Sequence, residues 1–176
     1  IEVIVLDDHS TDATREILRH ILLESDSLLS DSQEQAPAFQ IISGSDLTEG
    51  WAGKPHALHQ ASAVARAAQD AWLGFVDADT FLAPQAISSC YAKALETEAD
   101  LFTVMTEQIL GSFWEKVVMP LVMTALSVGF SPRKINDPTR RDAVANGQFI
   151  MIKRIVYDAI GGHEKVKDQI VEDKAI

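Results

Sequence analysis

The sequence predicts an α/β domain built on a mostly parallel central sheet flanked by helices, and three observations predict it. Short apolar runs of strand length alternate with helix-period segments as far as Gly111. Two of the runs, Glu2–Leu6 (EVIVL) and Trp72–Val76 (WLGFV), are nearly continuous apolar stretches, as strands covered on both faces are. Both end in paired aspartates, Asp7 with Asp8 and Asp77 with Asp79, and open α/β sheets bind ligands at the carboxyl ends of their strands.

Taken in order, the first strand leads to a helix capped at Ser10 or Thr11, with Ile17, Leu18, Ile21 and Leu22 on one face. Glu24–Ala38 (ESDSLLSDSQEQAPA) reads as a polar loop before a second strand at Phe39–Ser43. Gly44–Lys54 is a Gly-containing loop, and Pro55 suits the first turn of an Ala-rich helix that turns Ala57, Leu58, Ala61 and Val64 toward the sheet. The third strand is Trp72–Val76. Pro84 then starts a helix through Glu96, and Leu101–Met105 (LFTVM) is the fourth strand. Beyond Gly111 the sequence predicts an apolar helix over Trp114–Phe130 broken at Pro120, a basic loop over Ser131–Ala143, and a strand at Asn146–Lys153. A short helix over Ile155–Ile160 is then stopped by Gly161 and Gly162.

The 176 residues suit one domain, and 47% apolar with 23% charged residues is globular composition. A formal net charge of −11 argues against a nucleic-acid partner, whose phosphates call for massed Lys and Arg. The single cysteine, Cys90, excludes an intramolecular disulfide and a Cys-rich zinc module. The apolar stretch Val117–Phe130 falls short of the roughly 20 residues that span a bilayer. No basic leader precedes the first strand, so the chain reads as beginning inside a larger protein.

The most informative unit is Asp77-Ala78-Asp79. In extended chain, residues two apart point to one side, so both carboxylates can address one hard cation. Mg²⁺ or Mn²⁺ suits such a site, because these ions are held by one or two carboxylates plus substrate phosphates. Plainer readings stand beside the functional ones. Asp7 and Asp8 can simply cap the following helix, and Glu172-Asp173 can be a solvated pair in an acidic tail. His56 and His59, one helical turn apart, lack a third zinc ligand. Arg133, Lys134, Arg140 and Arg141 can be a solvated loop or, beside the apolar helix, part of an element lying on an anionic membrane.

The ordered series DDHSTD (Asp7–Asp12), GWAGKPHAL (Gly50–Leu58), DADT (Asp77–Thr80), NGQF (Asn146–Phe149), GGHE (Gly161–Glu164) and VED (Val171–Asp173) resembles family 2 of the inverting nucleotide-sugar glycosyltransferases. The resemblance runs nearly end to end and implies the GT-A fold, a Rossmann-like nucleotide-diphospho-sugar transferase architecture. The wording of NGQF, GGHE and VED is most similar to membrane-associated members that glycosylate lipids, the hopanoid-associated and carotenoid glycosyltransferases among them.

By position, the resemblance implies that Asp7 and Asp8 contact the nucleotide with Lys54, that Asp77 and Asp79 hold metal and diphosphate, and that Asp173 is the catalytic base with Glu172 beside it. Gly161, Gly162 and His163 match an acceptor-side loop, with Asn146 and Gln148 on the same side. Many relatives carry an aromatic residue where His163 stands. Residues 1–110 are then the nucleotide-sugar half and residues 111–176 the acceptor half of one catalytic domain. The resemblance further implies missing parts: a strand before Ile1, and a Q-x-x-R-W motif with membrane helices after Ile176. The protein is accordingly expected on the cytoplasmic face of a membrane, with a nucleotide-sugar donor and a lipid or other hydroxyl acceptor as partners.

The chemistry is coherent on its own terms. A cation at Asp77 and Asp79 would stabilise the departing diphosphate, while a carboxylate such as Asp173 takes the acceptor proton. A single displacement inverts the anomeric centre and needs no protein nucleophile, in keeping with the absence of a nucleophile elbow. Two alternatives remain open at this level: a nucleotidyltransferase on a related scaffold, which would want a Gly-rich basic phosphate loop, and a catalytically silent nucleotide-sugar-binding domain.

Overall fold

In the computed structural model, which describes residues 1–29, 38–129 and 145–169, the chain opens with β1 (Glu2–Asp7). Its β-branched residues Val3, Ile4 and Val5 favour extended backbone. β1 pairs in parallel with β2 (Ala38–Ser43), in a register running from Glu2 opposite Ala38 to Asp7 opposite Ser43. The two form a sheet of their own among the described residues, and Val3 is 39% exposed, so β1 is half covered rather than buried on both faces.

Between them lies α1 (Thr14–Leu29). The side chain at its start is Asp12, whose Oδ1 accepts the Thr14 N–H at 3.0 Å in place of the expected cap at Ser10 or Thr11, while the Ser10 N–H is turned back to Asp7 Oδ1. The helix also runs through Glu24 to Leu29, six residues into the expected loop. No Gly or Pro interrupts this stretch, and His20 meets Glu24 one turn on at 3.3 Å.

α2 (Gly53–Val64) carries Pro55 in its first turn, as expected. Its buried residues are Pro55, His56 and Ser62, whereas Val64 of the expected apolar stripe is 43% exposed. Pro55 and Ser62 are seven residues apart and share a face. α2 packs on the 3-10 helix Gly162–Val166, which follows α5 (Arg154–Ile160). These elements belong to one compact unit, Ile1–Leu73 with Lys153–Ile176.

The second unit is Gly74–Ile152. Its sheet has the order β3 (Trp72–Val76), β5 (Phe149–Lys153), β4 (Leu101–Thr103). β5 is antiparallel to β4, with Leu101 opposite Ile152 and Thr103 opposite Ile150. On the β3 side the Asp77 N–H donates to the Gln148 carbonyl at 3.2 Å and the Arg154 N–H to the Ala71 carbonyl at 2.9 Å, the pattern of antiparallel pairing. The expected single, mostly parallel sheet is therefore not what the described strands form: only β1 and β2 are parallel. Apolar periodicity reports burial, not strand direction, which is why the sequence pattern misleads here. The antiparallel entry has a consequence for function, since it brings Asn146–Gln148, at the start of β5, beside the carboxyl ends of β3 and β4.

Phe149, Ile150, Met151 and Ile152 are all buried and make β5 the core of this unit. α3 (Ala86–Glu96) starts two residues after Pro84, which sits in the preceding turn, and β4 is two residues shorter than expected. α4 (Phe113–Gly129) passes through Pro120 without the expected break. It is nucleated instead by a reciprocal cap: Ser112 Oγ accepts the Glu115 N–H at 3.2 Å, and Glu115 Oε2 accepts the Ser112 and Gly111 N–H groups at 3.1 and 2.8 Å. Phe130, the basic loop with Arg133, Lys134, Arg140 and Arg141, and the tail with Glu172 and Asp173 lie outside the described residues.

Candidate active site

In the first unit the acidic strand end is asymmetric. Asp7 is 3% exposed, with Oδ1 accepting the Ser10 N–H at 3.0 Å and Oδ2 accepting Arg15 Nε at 2.8 Å. These bonds from Ser10 and Arg15 hold its pKa down at about 2. A nucleotide hydroxyl would have to displace one of them. Asp8 is exposed, and its Oδ1 lies over Gly44, where a Cβ would come within 2.9 Å of it. His9 follows in the left-handed region at φ 60°, and its Nε2 stands 3.4 Å from Asp46 Oδ1. Non-Gly residues in that region are uncommon and concentrate at binding loops. Lys54 is exposed in the first turn of α2.

His56 is no zinc ligand here, because Nε2 faces Thr48 Oγ1 at 3.2 Å and Nδ1 faces Gln60 Nε2 at 3.1 Å. Trp51 packs its ring on those of His56 and His59, at 5.4 and 5.0 Å between centroids.

Gly161 caps α5 at φ 88°, and Gly162 follows at φ 52° with the Tyr157 ring pressed against it. His163 is 2% exposed, so the side chain of this loop that carries most chemistry is folded inward. Its Nδ1 is 2.7 Å from the Tyr157 hydroxyl, which also accepts the His163 backbone N–H at 3.2 Å and meets Ser62 Oγ at 3.0 Å. Ser62 in turn donates to the His59 carbonyl at 2.8 Å. With the Ser62 proton so placed, Tyr157 donates to Ser62 and His163 is the neutral tautomer protonated on Nδ1. Burial first, then the neighbouring His59 and Lys54 charges, push the His163 pKa down to about 4.

In the second unit the acidic end is more exposed. Asp77 is half-buried at the end of β3 and Asp79 is exposed. The turn is fixed by the Thr80 N–H donating to the Asp77 carbonyl at 3.0 Å. Asp79 stands on the rim of an open cleft of about 460 Å³ that also takes in Phe81, Cys90, Thr106, Gln108 and Gln148. At its polar end the Gln148 Oε1 receives the Thr106 hydroxyl, Gln108 Nε2 at 3.2 Å and Asn146 Nδ2 at 3.5 Å. Asn146 Nδ2 also donates to the Val104 carbonyl at 2.9 Å.

Asp77 and Asp79 are the residues that could hold a cation. No group of three His, Cys, Asp or Glu suited to a metal occurs among the described residues. A two-carboxylate set of which one member, Asp79, stands on the rim of a cleft fits Mg²⁺ or Mn²⁺ completed by water and phosphate, and does not fit zinc.

The structure thus brings Asp77 and Asp79 into one unit with Asn146 and Gln148, and Asp7, Asp8, Lys54, Gly161, Gly162 and His163 into the other. Sequence reasoning missed Thr106 and Gln108, although their two-residue spacing past a strand end repeats that of Asp77 and Asp79. It also missed Tyr157 and Ser62, whose pairing across 95 residues leaves no local signal.

A strand-end carboxylate on the rim of a cleft is an arrangement that α/β enzymes use to bind ligands. Residues 1–161 match the family described as glycosyl transferase family 2, and the chain belongs to that family, whose activity is sugar transfer from nucleotide-sugar donors. No curated protein and no solved structure matches it.

Proposed function

We propose that the chain catalyses metal-dependent, inverting transfer of a sugar from a nucleoside-diphosphate sugar, a UDP-sugar in the first instance, to a hydroxyl on a lipid acceptor. The observation that carries this reading is Asp79 on the rim of the cleft, two residues after Asp77 in one turn. Mg²⁺ or Mn²⁺ bound there would supply charge for the leaving diphosphate. Asp8 and Lys54 orient the donor, Asn146 and Gln148 face the acceptor, and Asp173, outside the described residues, takes the acceptor proton.

Two observations support a lipid acceptor. The wording around NGQF, GGHE and VED resembles that of the hopanoid- and carotenoid-type enzymes. α4 is also exposed along an apolar surface, with Trp114 at 71% and Leu121 at 69% exposed. No helix among the described residues is long and apolar enough to cross a membrane, so α4 would lie in the interface on the cytoplasmic face.

The test is a panel of nucleotide sugars with Mn²⁺ or Mg²⁺, offered a hydroxylated hopanoid, a hydroxylated carotenoid or a water-soluble alcohol, and read as nucleoside diphosphate release. Metal-dependent turnover that prefers the lipids is the expected result. Preference for the soluble acceptor overturns the lipid assignment, and donor binding without turnover favours a silent binding domain.

A further inference from the structure

The cleft of the second unit has a lining whose chemistry selects a ligand. Phe81, Leu82, Val104, Ile109 and Phe149 supply apolar wall. Against it stand neutral polar groups on Gln148, Thr106 and Gln108, with the carboxylates of Asp79 and Glu107 as the charged members. No Lys, Arg or His lines it among the described residues.

Gln148 is the centre of this lining. Two amide nitrogens and a hydroxyl converge on one of its side-chain atoms, which fixes that atom as the carbonyl oxygen and leaves the NH₂ as the other end. That NH₂ has no hydrogen-bond partner among the described residues. Three donors saturating the oxygen hold the amide plane still, so its N–H donors are preorganised. Donors from Gln148 and an acceptor on Glu107 are the complement of a hydroxyl group, which both accepts and donates. In the absence of metal, a phosphate or carboxylate would instead meet the Asp79 and Glu107 charges with no Lys, Arg or His in the lining to offset them.

We infer that this cleft binds an uncharged, hydroxyl-bearing molecule with an apolar body, and that Gln148 determines its specificity by donating to a ligand hydroxyl. Calling that ligand the acceptor rests on the glycosyltransferase reading; the binding itself does not. Phe81, 88% exposed at the rim, gives the apolar body a face to lie on.

Cys90, the one cysteine of the chain, lines the same cleft and makes its occupancy readable without donor, metal or turnover. The experiment follows the rate at which neutral N-ethylmaleimide alkylates Cys90 in the full 176-residue chain, with octyl β-D-glucoside below its micelle concentration as the probe. At a probe concentration several times its dissociation constant, labelling should slow about fivefold. Glucose, which lacks the tail, and octyl sulfate, which replaces the neutral head by an anion, should leave the rate unchanged at the same concentration. Gln148→Ala should lose the protection while labelling at the wild-type rate without probe, and circular dichroism confirms its fold. Should that variant misfold, Phe81→Ala at the exposed rim should show partial loss.

Equal labelling with and without octyl glucoside overturns the inference. Equal protection by octyl sulfate removes the selectivity for neutral ligands, and equal protection by glucose removes the apolar body. Failure of sugar transfer leaves all of these outcomes in force, so the two readings fail separately.

Discussion

At the end of β1 the first aspartate is buried and both its oxygens are bonded to its own loop and helix, while at the end of β3 the two aspartates stand half-buried and exposed beside a cleft. The same contrast separates His163, folded into Tyr157 and Ser62, from Gln148, whose amide donors have no partner among the described residues. No buried side-chain N or O among the described residues lacks a hydrogen bond, so the closed sites are complete without a ligand. The difference teaches that a motif's residues divide by where their hydrogen-bonding capacity ends: on the protein, where they set shape, or at a surface, where they can bind.

The largest effect on binding belongs to the open end. Asp79→Asn should weaken nucleoside diphosphate binding in the presence of Mn²⁺ by about 100-fold and erase the response to EDTA, because a bridging cation is worth several kcal/mol. Its melting temperature should stay near wild type, since the side chain is exposed. Calorimetry checks the first point. A variant that melts early but binds normally would reverse the assignment of the two ends.

Next comes the closed knot. In Gly162→Ala a Cβ would stand 2.6 Å from Tyr157 Cζ and 2.9 Å from its hydroxyl, at a φ of 52° that L side chains rarely adopt. Steric strain and the left-handed backbone together should cost roughly 3–4 kcal/mol, measured by urea unfolding. A cost below 1 kcal/mol would mean that the knot is loose and that His163 can reach the surface.

The same knot should show in the pH dependence of stability. His163 binds its proton near 6.5 when unfolded and near 4 when folded, so between those values the unfolded chain holds more protons. Its contribution is complete above pH 6.5 and is lost as the pH falls toward 4, about 3 kcal/mol in all. His163→Phe keeps the buried bulk and the backbone N–H to Tyr157, and should remove this slope. The Asp7 contribution falls in a separate window, present above pH 3.8 and lost toward pH 2. Identical slopes for wild type and His163→Phe between pH 6.5 and 4 would place the titration elsewhere.

Much of the chain was legible because its signals are local. Pro55, the Gly161-Gly162 stop and the aspartates after β1 and β3 each act within a few residues of themselves, and the structure has them where the sequence places them. Direction and pairing were not legible. β5 is as apolar as any parallel strand, and only its partners make it antiparallel. The Ala-rich face of α2 looked like its buried side until Tyr157, 95 residues away, gave Ser62 a partner that let the polar face go in. Asp7 and Asp8 look equivalent in sequence, and Arg15, eight residues on from Asp7, distinguishes them by closing one and leaving the other open.

That last distinction makes the smallest prediction. Gly44 lies under Asp8, and in Gly44→Ala the new Cβ would press on Asp8 Oδ1 at 2.9 Å and on Leu6 Cδ2 at 3.3 Å. Both are ends of side chains and can swing away. The lost backbone freedom of the unfolded chain offsets the contact, and stability should change by only a few tenths of a kcal/mol. The displaced carboxylate is another matter if Asp8, and not Asp7, is the partner of the donor nucleotide. UDP affinity should then fall about threefold, a loss of the size expected when one solvent-exposed hydrogen bond is misaligned. Unchanged affinity would take Asp8 out of the donor site. A large loss of stability would show instead that Asp8 is closed on the fold as Asp7 is, and the asymmetry at the end of β1 would vanish.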